Sequence, residues 1–181
     1  MKKIINKLIA WLATSWLGKW SYRIGSLAGV LILRACSLAK SATLFPGAGN
    51  LSLDIRTDLK YPENITIGSN VIIGADCQIG AMAPVVLGNY VRISRGVTIE
   101  TATLDLSAAL PYPHIAKPIS IGNGVWLAAH VTVLGGVNIG DGAIIGAGAV
   151  ISRDVPAGAI IVGSATRELK RKLEIVEEWK S

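Results

Sequence analysis

The sequence carries few side chains suited to proton transfer or soft-metal binding at neutral pH: two histidines, His114 and His130, and two cysteines, Cys36 and Cys77. An imidazole changes charge near neutrality and is the commonest general base. His114 stands in a stretch broken by Pro111, Pro113 and Pro118. Such stretches form loops, and loops held on a rigid scaffold are where reactive groups concentrate. His114 is therefore the candidate base, set against the plainer reading of a solvated loop residue. His130 follows Leu127-Ala128-Ala129 and is expected to point outward, as a surface or subunit-contact residue. The cysteines are far apart and lack metal-ligand spacing. They read as buried or inert thiols of a reducing compartment. Two histidines cannot supply the three that a catalytic zinc often takes, so no metal is expected. The sequence also lacks a glycine-rich phosphate loop and a serine nucleophile elbow.

The scaffold that must position His114 is a six-residue repeat. An aliphatic or aromatic residue recurs at Ile55, Tyr61, Ile67, Ile73 and Ile79. The register slips by two after Pro84, resumes at Leu87, Ile93 and Ile99, and later runs through Ile121, Leu127, Val133, Ile139, Ile145 and Ile151. Glycine follows the aliphatic at Gly68, Gly74, Gly80, Gly88, Gly122, Gly140 and Gly146. A small or branched residue stands four after it at Val71, Val91, Val97, Val125, Val131, Val137 and Ala143. One hexad is a short strand plus a corner. Three hexads bring the chain back above its start, one strand spacing (~4.8 Å) along an axis. The spacing predicts an all-β core, a left-handed parallel β-helix of about five coils with about eighteen residues each. A doubly wound sheet would need crossover helices, and helical stretches are missing between residues 55 and 156.

Three segments follow: amphipathic N-terminal helices over 1–42, the β-helix over 43–160 with an excursion loop over 101–117, and a C-terminal tail and helix over 161–181. In the first, Ile5, Leu8, Ile9, Leu12 and Trp16 fall at helical spacing, and a second apolar run spans Ile24 to Leu33. Neither run reaches the ~20 residues needed to cross a bilayer. The net charge of +6 is concentrated here: residues 1–53 hold seven cations and no acid, and the first carboxylate is Asp54. A basic, tryptophan-bearing apolar segment points to peripheral contact of residues 1–40 with an anionic membrane surface, or to a partner. Nucleic acid is not expected, because no binding motif accompanies the charge. Lys7 interrupts what would be the apolar stretch of a secretory signal. Two readings stay open: an interfacial helix pair with Trp11, Trp16 and Trp20 at headgroup depth, or helices that only pack on the β-helix or another subunit. At the other end, Thr166–Trp179 reads as a charged amphipathic helix with a Glu168–Lys172 pair, capping the prism's open strand edges.

The residues Pro118-Ile119-Ser120-Ile121-Gly122-Asn123-Gly124-Val125-Trp126-Leu127-Ala128-Ala129, Val137-Asn138-Ile139-Gly140-Asp141-Gly142-Ala143, Gly146-Ala147-Gly148-Ala149-Val150 and Arg153-Asp154-Val155-Pro156 carry a family likeness. They resemble the C-terminal half of the hexapeptide-repeat O-acetyltransferases, a group that includes galactoside, maltose and polysaccharide acetyltransferases. The likeness is strong over 118–170, moderate over 55–100 and absent over 1–45. It implies a homotrimer with active sites in the clefts between prisms and acetyl-CoA lying along each cleft. By motif position the donor contacts fall on Ala129, Ala147, Ser152, Arg153, Arg167 and Lys170. Arg153 stands where the family usually has lysine, and Ser164-Ala165 replaces the usual Asn-Pro or Val-Pro.

In that family the catalytic histidine generally lies early in the excursion, near what is here Glu100–Asp105, and this stretch has none. His114, four residues before Pro118, is a candidate by chemistry and place rather than by motif match. Acyl transfer to a hydroxyl needs a base for the hydroxyl proton and a donor for the oxyanion, which backbone N–H groups supply. Asp105 or Glu100 is a candidate to orient the imidazole, and Asp105 also to meet the acceptor. Trp126 is either a trimer contact or a wall of the acceptor site. The expected activity is an acetyl-CoA-dependent O-acetyltransferase acting on a sugar or polysaccharide precursor, cytoplasmic and peripheral on the inner membrane face. The alternative is a degenerate, non-catalytic β-helix acting as a scaffold or partner subunit.

Overall fold

Each short strand turns one or two aliphatic side chains inward and the residue next to them outward, so the chain winds instead of folding back. The computed structural model, which describes residues 16–163 and 167–169, is a parallel β-solenoid of three faces. The first face stacks β1 (Ser52–Leu53), β4 (Ile72–Ile73), β7 (Arg92–Ile93), β12 (Trp126–Leu127), β15 (Ile144–Ile145) and β17 (Ile160–Val162). The second stacks β2 (Asp58–Lys60), β5 (Gln78–Gly80), β8 (Thr98–Glu100), β13 (Thr132–Leu134) and β16 (Val150–Ile151). The third stacks β3 (Ile65–Ile67), β6 (Val85–Leu87), β11 (Ile119–Ile121) and β14 (Asn138–Ile139), and Val155 bridges to Ile139. The chain thus completes five coils and begins a sixth. Inward residues from Leu53 to Ile161 form one continuous core. Ladders between coils satisfy the backbone groups that a narrow prism would otherwise bury unpaired.

The coils are not uniform. Ser52, Ile72, Arg92, Trp126, Ile144 and Ile160 are in register, so successive coils take 20, 20, 34, 18 and 16 residues. Eighteen is therefore the length of one coil, not the rule. The additional residues sit at one corner, between the second and third faces: a 3-10 turn at Pro62–Asn64, a short bend before Pro84, and the excursion after Thr101. This corrects the start of the repeat. Tyr61 is 52% exposed, with φ of 58°, and Ile55 lies outside the core. Leu53 and Leu59 hold the inward positions instead. A two-residue insertion between Leu59 and Ile67 had shifted the apparent register.

The corner between the third and first faces keeps a left-handed backbone in every coil, at Asn50, Asn70, Tyr90, Gly124, Gly142 and Gly158. A residue with a Cβ pays about 1–2 kcal/mol there, against about 0.5–1 kcal/mol of extra chain entropy for glycine. Tyr90 is 64% exposed. Tyr90→Gly is therefore expected to leave stability unchanged or raise it by up to about 1 kcal/mol in thermal unfolding. A drop of that size instead would show that the ring packs on its neighbours.

The described part of the N-terminal segment is one continuous helix, α1 (Trp16–Leu44), which holds the second apolar run. Residues 1–15 lie outside the described residues. The end of α1 covers the first coil: the Lys40 ammonium donates to the carbonyls of Ile55 and Thr57, and Ile55 N–H donates to Ser37 Oγ at 3.0 Å. At the far end the expected helix from Thr166 is not how the tail begins. Arg167–Leu169 forms β18, antiparallel to β17. Pairing with the exposed edge of the last coil outweighs the helical charge pattern there. The rest of that expected helix, with Lys170, lies outside the described residues.

Candidate active site

The excursion is a β-hairpin. β9 (Ala102–Leu104) pairs with β10 (His114–Ala116), with Ala102 opposite Ala116, Thr103 opposite Ile115 and Leu104 opposite His114. Its neck is pinned to the prism. Thr101 is fully buried; its hydroxyl donates to Gly80 O at 2.9 Å and accepts from Ala83 N–H at 3.1 Å. Lys117 N–H closes the neck on Thr101 O at 3.0 Å. The next coil passes directly beneath through Gly135-Gly136. A Cβ on Gly135 would stand 2.5 Å from Thr101 O, and Gly136 has φ of 91° beside the Lys117 side chain. Both the room and the backbone conformation require glycine there.

His114 is exposed on this hairpin. Directly opposed residues of an antiparallel pair lie within about 5.5 Å and share a face. The fold therefore returns His114 to the Glu100–Asp105 stretch, although eight residues lie between it and Asp105 in sequence. Neither carboxylate reaches the imidazole. Asp105 accepts from the Ser107 hydroxyl at 2.6 Å and the Ser107 N–H at 3.0 Å. Those two bonds hold its carboxyl below the ordinary carboxylate range. Glu100 turns back to accept from Ala102 N–H at 2.9 Å.

Four of the remaining candidates fall at the two edges of the second face. Ala129 and Ala147 stack at its corner with the first face, where Gly148 N–H donates to Ala129 O at 3.0 Å. Ser152 and Arg153, both exposed, stand at the opposite corner, which is the corner that two coils earlier throws out the hairpin. Two coils are about 10 Å. Arg167 lies in β18. Trp126 is 48% exposed on the outside of the first face, and its indole N–H donates to Ser94 Oγ at 3.1 Å. One chain thus brings His114, Ser152 and Arg153 to one corner and Trp126, Ala129 and Ala147 to the other.

His130 is exposed at the first-to-second corner, as expected, with φ of 58° and its ring over Gly96. Cys77 is buried, and loss of hydration raises its thiol pKa. Cys36 is free and exposed on α1. Among the described residues no group of three or more His, Cys, Asp or Glu side chains is placed to hold a metal. Sequence reading missed Thr101, the Gly135-Gly136 pair and Ser94. The doubled glycine inside an otherwise regular hexad was the available signal.

Residues 118–153 match the bacterial transferase hexapeptide model of six repeats, and residues 64–101 match the hexapeptide repeat of succinyl-transferase. A Schizosaccharomyces pombe protein named provisionally as an acetyltransferase is 32% identical over 146 residues, 80% of this chain and 70% of its own length. Other curated relatives are spanned to as little as 59% of their length. A maltose O-acetyltransferase from Clostridium difficile is 29% identical, with a TM-score of 0.59 over 68% of this chain and 64% of that one. A hexapeptide-repeat acetyltransferase from Vibrio cholerae, solved with acetyl coenzyme A, has the same fold at 24% identity, with a TM-score of 0.70 over 88% of this chain and 90% of that one. The chain belongs to the hexapeptide-repeat acetyltransferase family.

Proposed function

We propose that this protein transfers an acetyl group from acetyl-CoA to a hydroxyl of a sugar or saccharide acceptor, with His114 as the general base. The observation that carries the reading is the pairing of His114 with Leu104, which puts an exposed imidazole in the part of the excursion where the family places its base. The imidazole takes the hydroxyl proton as the oxygen attacks the thioester carbonyl. Backbone N–H groups at the coil edge hold the oxyanion, the C–S bond breaks, and the proton passes to the departing CoA sulfur. Transfer is direct: Cys77 is buried in the core and far from the hairpin in sequence. The Vibrio and Clostridium proteins support the donor and the sugar hydroxyl, respectively. The left-handed winding of the family goes with this reading, as does a cytoplasmic location, where acetyl-CoA is available.

The candidate residues are split between two edges of one prism face. A complete site is formed when the edge carrying His114 and Arg153 meets the Trp126 and Ala147 edge of a neighbouring copy, in a homotrimer. Ala129, Ala147, Ser152, Arg153, Arg167 and Lys170 line the donor's path in this assembly, and Trp126 and Asp105 border the acceptor. Arg153 suits a phosphate or pyrophosphate of the donor. Arg153→Ala is expected to weaken acetyl-CoA binding by about tenfold, the scale of a lost charge-assisted hydrogen bond, in titration calorimetry. The overall test is release of free CoA, read with a thiol reagent, from acetyl-CoA and a panel of sugars. Absence of both CoA binding and release would leave the scaffold reading in its place.

A further inference from the structure

Helix α1 is anchored at one end. Its last turns dock on the first coil, where Ser41 is buried and Lys40 caps two solenoid carbonyls. Ahead of that anchor, Leu27, Leu31, Ile32 and Leu33 are 52% to 66% exposed. These residues, with Val30, face every direction round the helix axis. A helix apolar all round is normally covered by protein or lipid, and among the described residues nothing covers this one. The uncharged run Ile24–Leu33 lies between Arg23 and Arg34. At ~1.5 Å per residue it is ~15 Å long, about half the ~30 Å of a bilayer's hydrocarbon. The longer window Leu27–Leu44 is apolar enough to cross a membrane by length and composition. Its C-terminal half, however, is held against the solenoid through Ser37, Lys40 and Ser41.

Charge distinguishes the possible occupants. Residues 1–53 carry Lys2, Lys3, Lys7, Lys19, Arg23, Arg34 and Lys40 without one carboxylate. Pairing these helices between two copies would place cation against cation, whereas an anionic lipid surface is complementary to them. We propose that α1 holds the protein on an anionic membrane surface by shallow insertion of Ile24–Leu33, with the flanking cations at headgroup level and the solenoid in water. The inference stands apart from the acyl-transfer reading, since α1 is remote in sequence from every residue assigned to chemistry.

The test is co-sedimentation of the full chain with vesicles. Mixed phosphatidylcholine–phosphatidylglycerol vesicles are expected to pellet the protein. Pure phosphatidylcholine, or the mixed vesicles at high salt, should bind it at least about tenfold more weakly, because screening removes the electrostatic part. Leu31→Glu with Ile32→Glu should abolish pelleting while the circular dichroism and melting of the solenoid persist, and His114→Ala should pellet as the unchanged protein does. Were the double variant misfolded, the lipid and salt dependence of the unchanged chain would decide alone. Equal binding to both vesicle types, no binding to either, or undiminished binding of the folded double variant overturns the proposal. So does resistance to carbonate extraction, which would mean a crossing helix, or self-association without vesicles that buries α1.

Discussion

His114→Ala is expected to lower kcat by about 10²–10⁴-fold, the usual contribution of a positioned general base, while leaving acetyl-CoA binding and the melting temperature unchanged. The expectation of an intact fold comes from where the residue sits. His114 is exposed on a hairpin held by Thr101 and the Lys117 N–H, so its side chain supports no packing. The expectation of lost turnover comes from its partner across the hairpin, Leu104, which offers no base of its own. Single-turnover release of CoA with saturating acceptor separates the base from a binding role. Activity surviving the substitution would remove His114 from the mechanism and direct attention to the partner edge, where Trp126 and His130 stand.

Gly135→Ala is expected to act on stability and activity together. The added Cβ would meet Thr101 O at 2.5 Å, and this obstacle is backbone, so the neck of the hairpin must lift. Overpacking of this kind costs about 1–3 kcal/mol, a fall of several degrees in melting temperature for a chain of this size. A displacement near 1 Å at the hairpin root carries His114 with it and can cost about 100-fold in kcat/KM. On the donor path proposed above, acetyl-CoA binding should persist. A variant with wild-type melting and wild-type turnover would show that the neck can yield without moving the imidazole.

The winding was legible because a prism with an aliphatic interior needs the same residue type at each inward position. From Ile67 to Ile151 those positions are where the periodicity places them. The first coil was misread because Tyr61 looks like an inward residue, and only the Pro62–Asn64 turn shows that two residues have been added. The start of the tail, Arg167–Leu169, was misread because its charge pattern suits a helix as well as an exposed strand, and the available edge of β17 is a tertiary fact. α1 was legible as a helix from its second apolar run, Ile24 to Leu33, and Gly25 does not interrupt it. For the candidate site, the excursion was legible and its geometry was not. The prolines marked the excursion, but the pairing of His114 with Leu104 is set by Thr101 and Lys117 at the neck, which have no sequence signature.

The corner between the second and third faces has a wider consequence. Three successive coils depart from the prism there, by amounts from a two-residue turn to a whole hairpin, while β5, β8 and β13 continue in register past it. Whatever hangs from that corner has its ends one strand spacing apart and leaves the ladder undisturbed. The hairpin is in effect an interchangeable cartridge: residues 102–116 can be exchanged alone, with the later coils inherited unaltered. The same separation offers a practical route to chimaeras that carry a foreign hairpin on this stem.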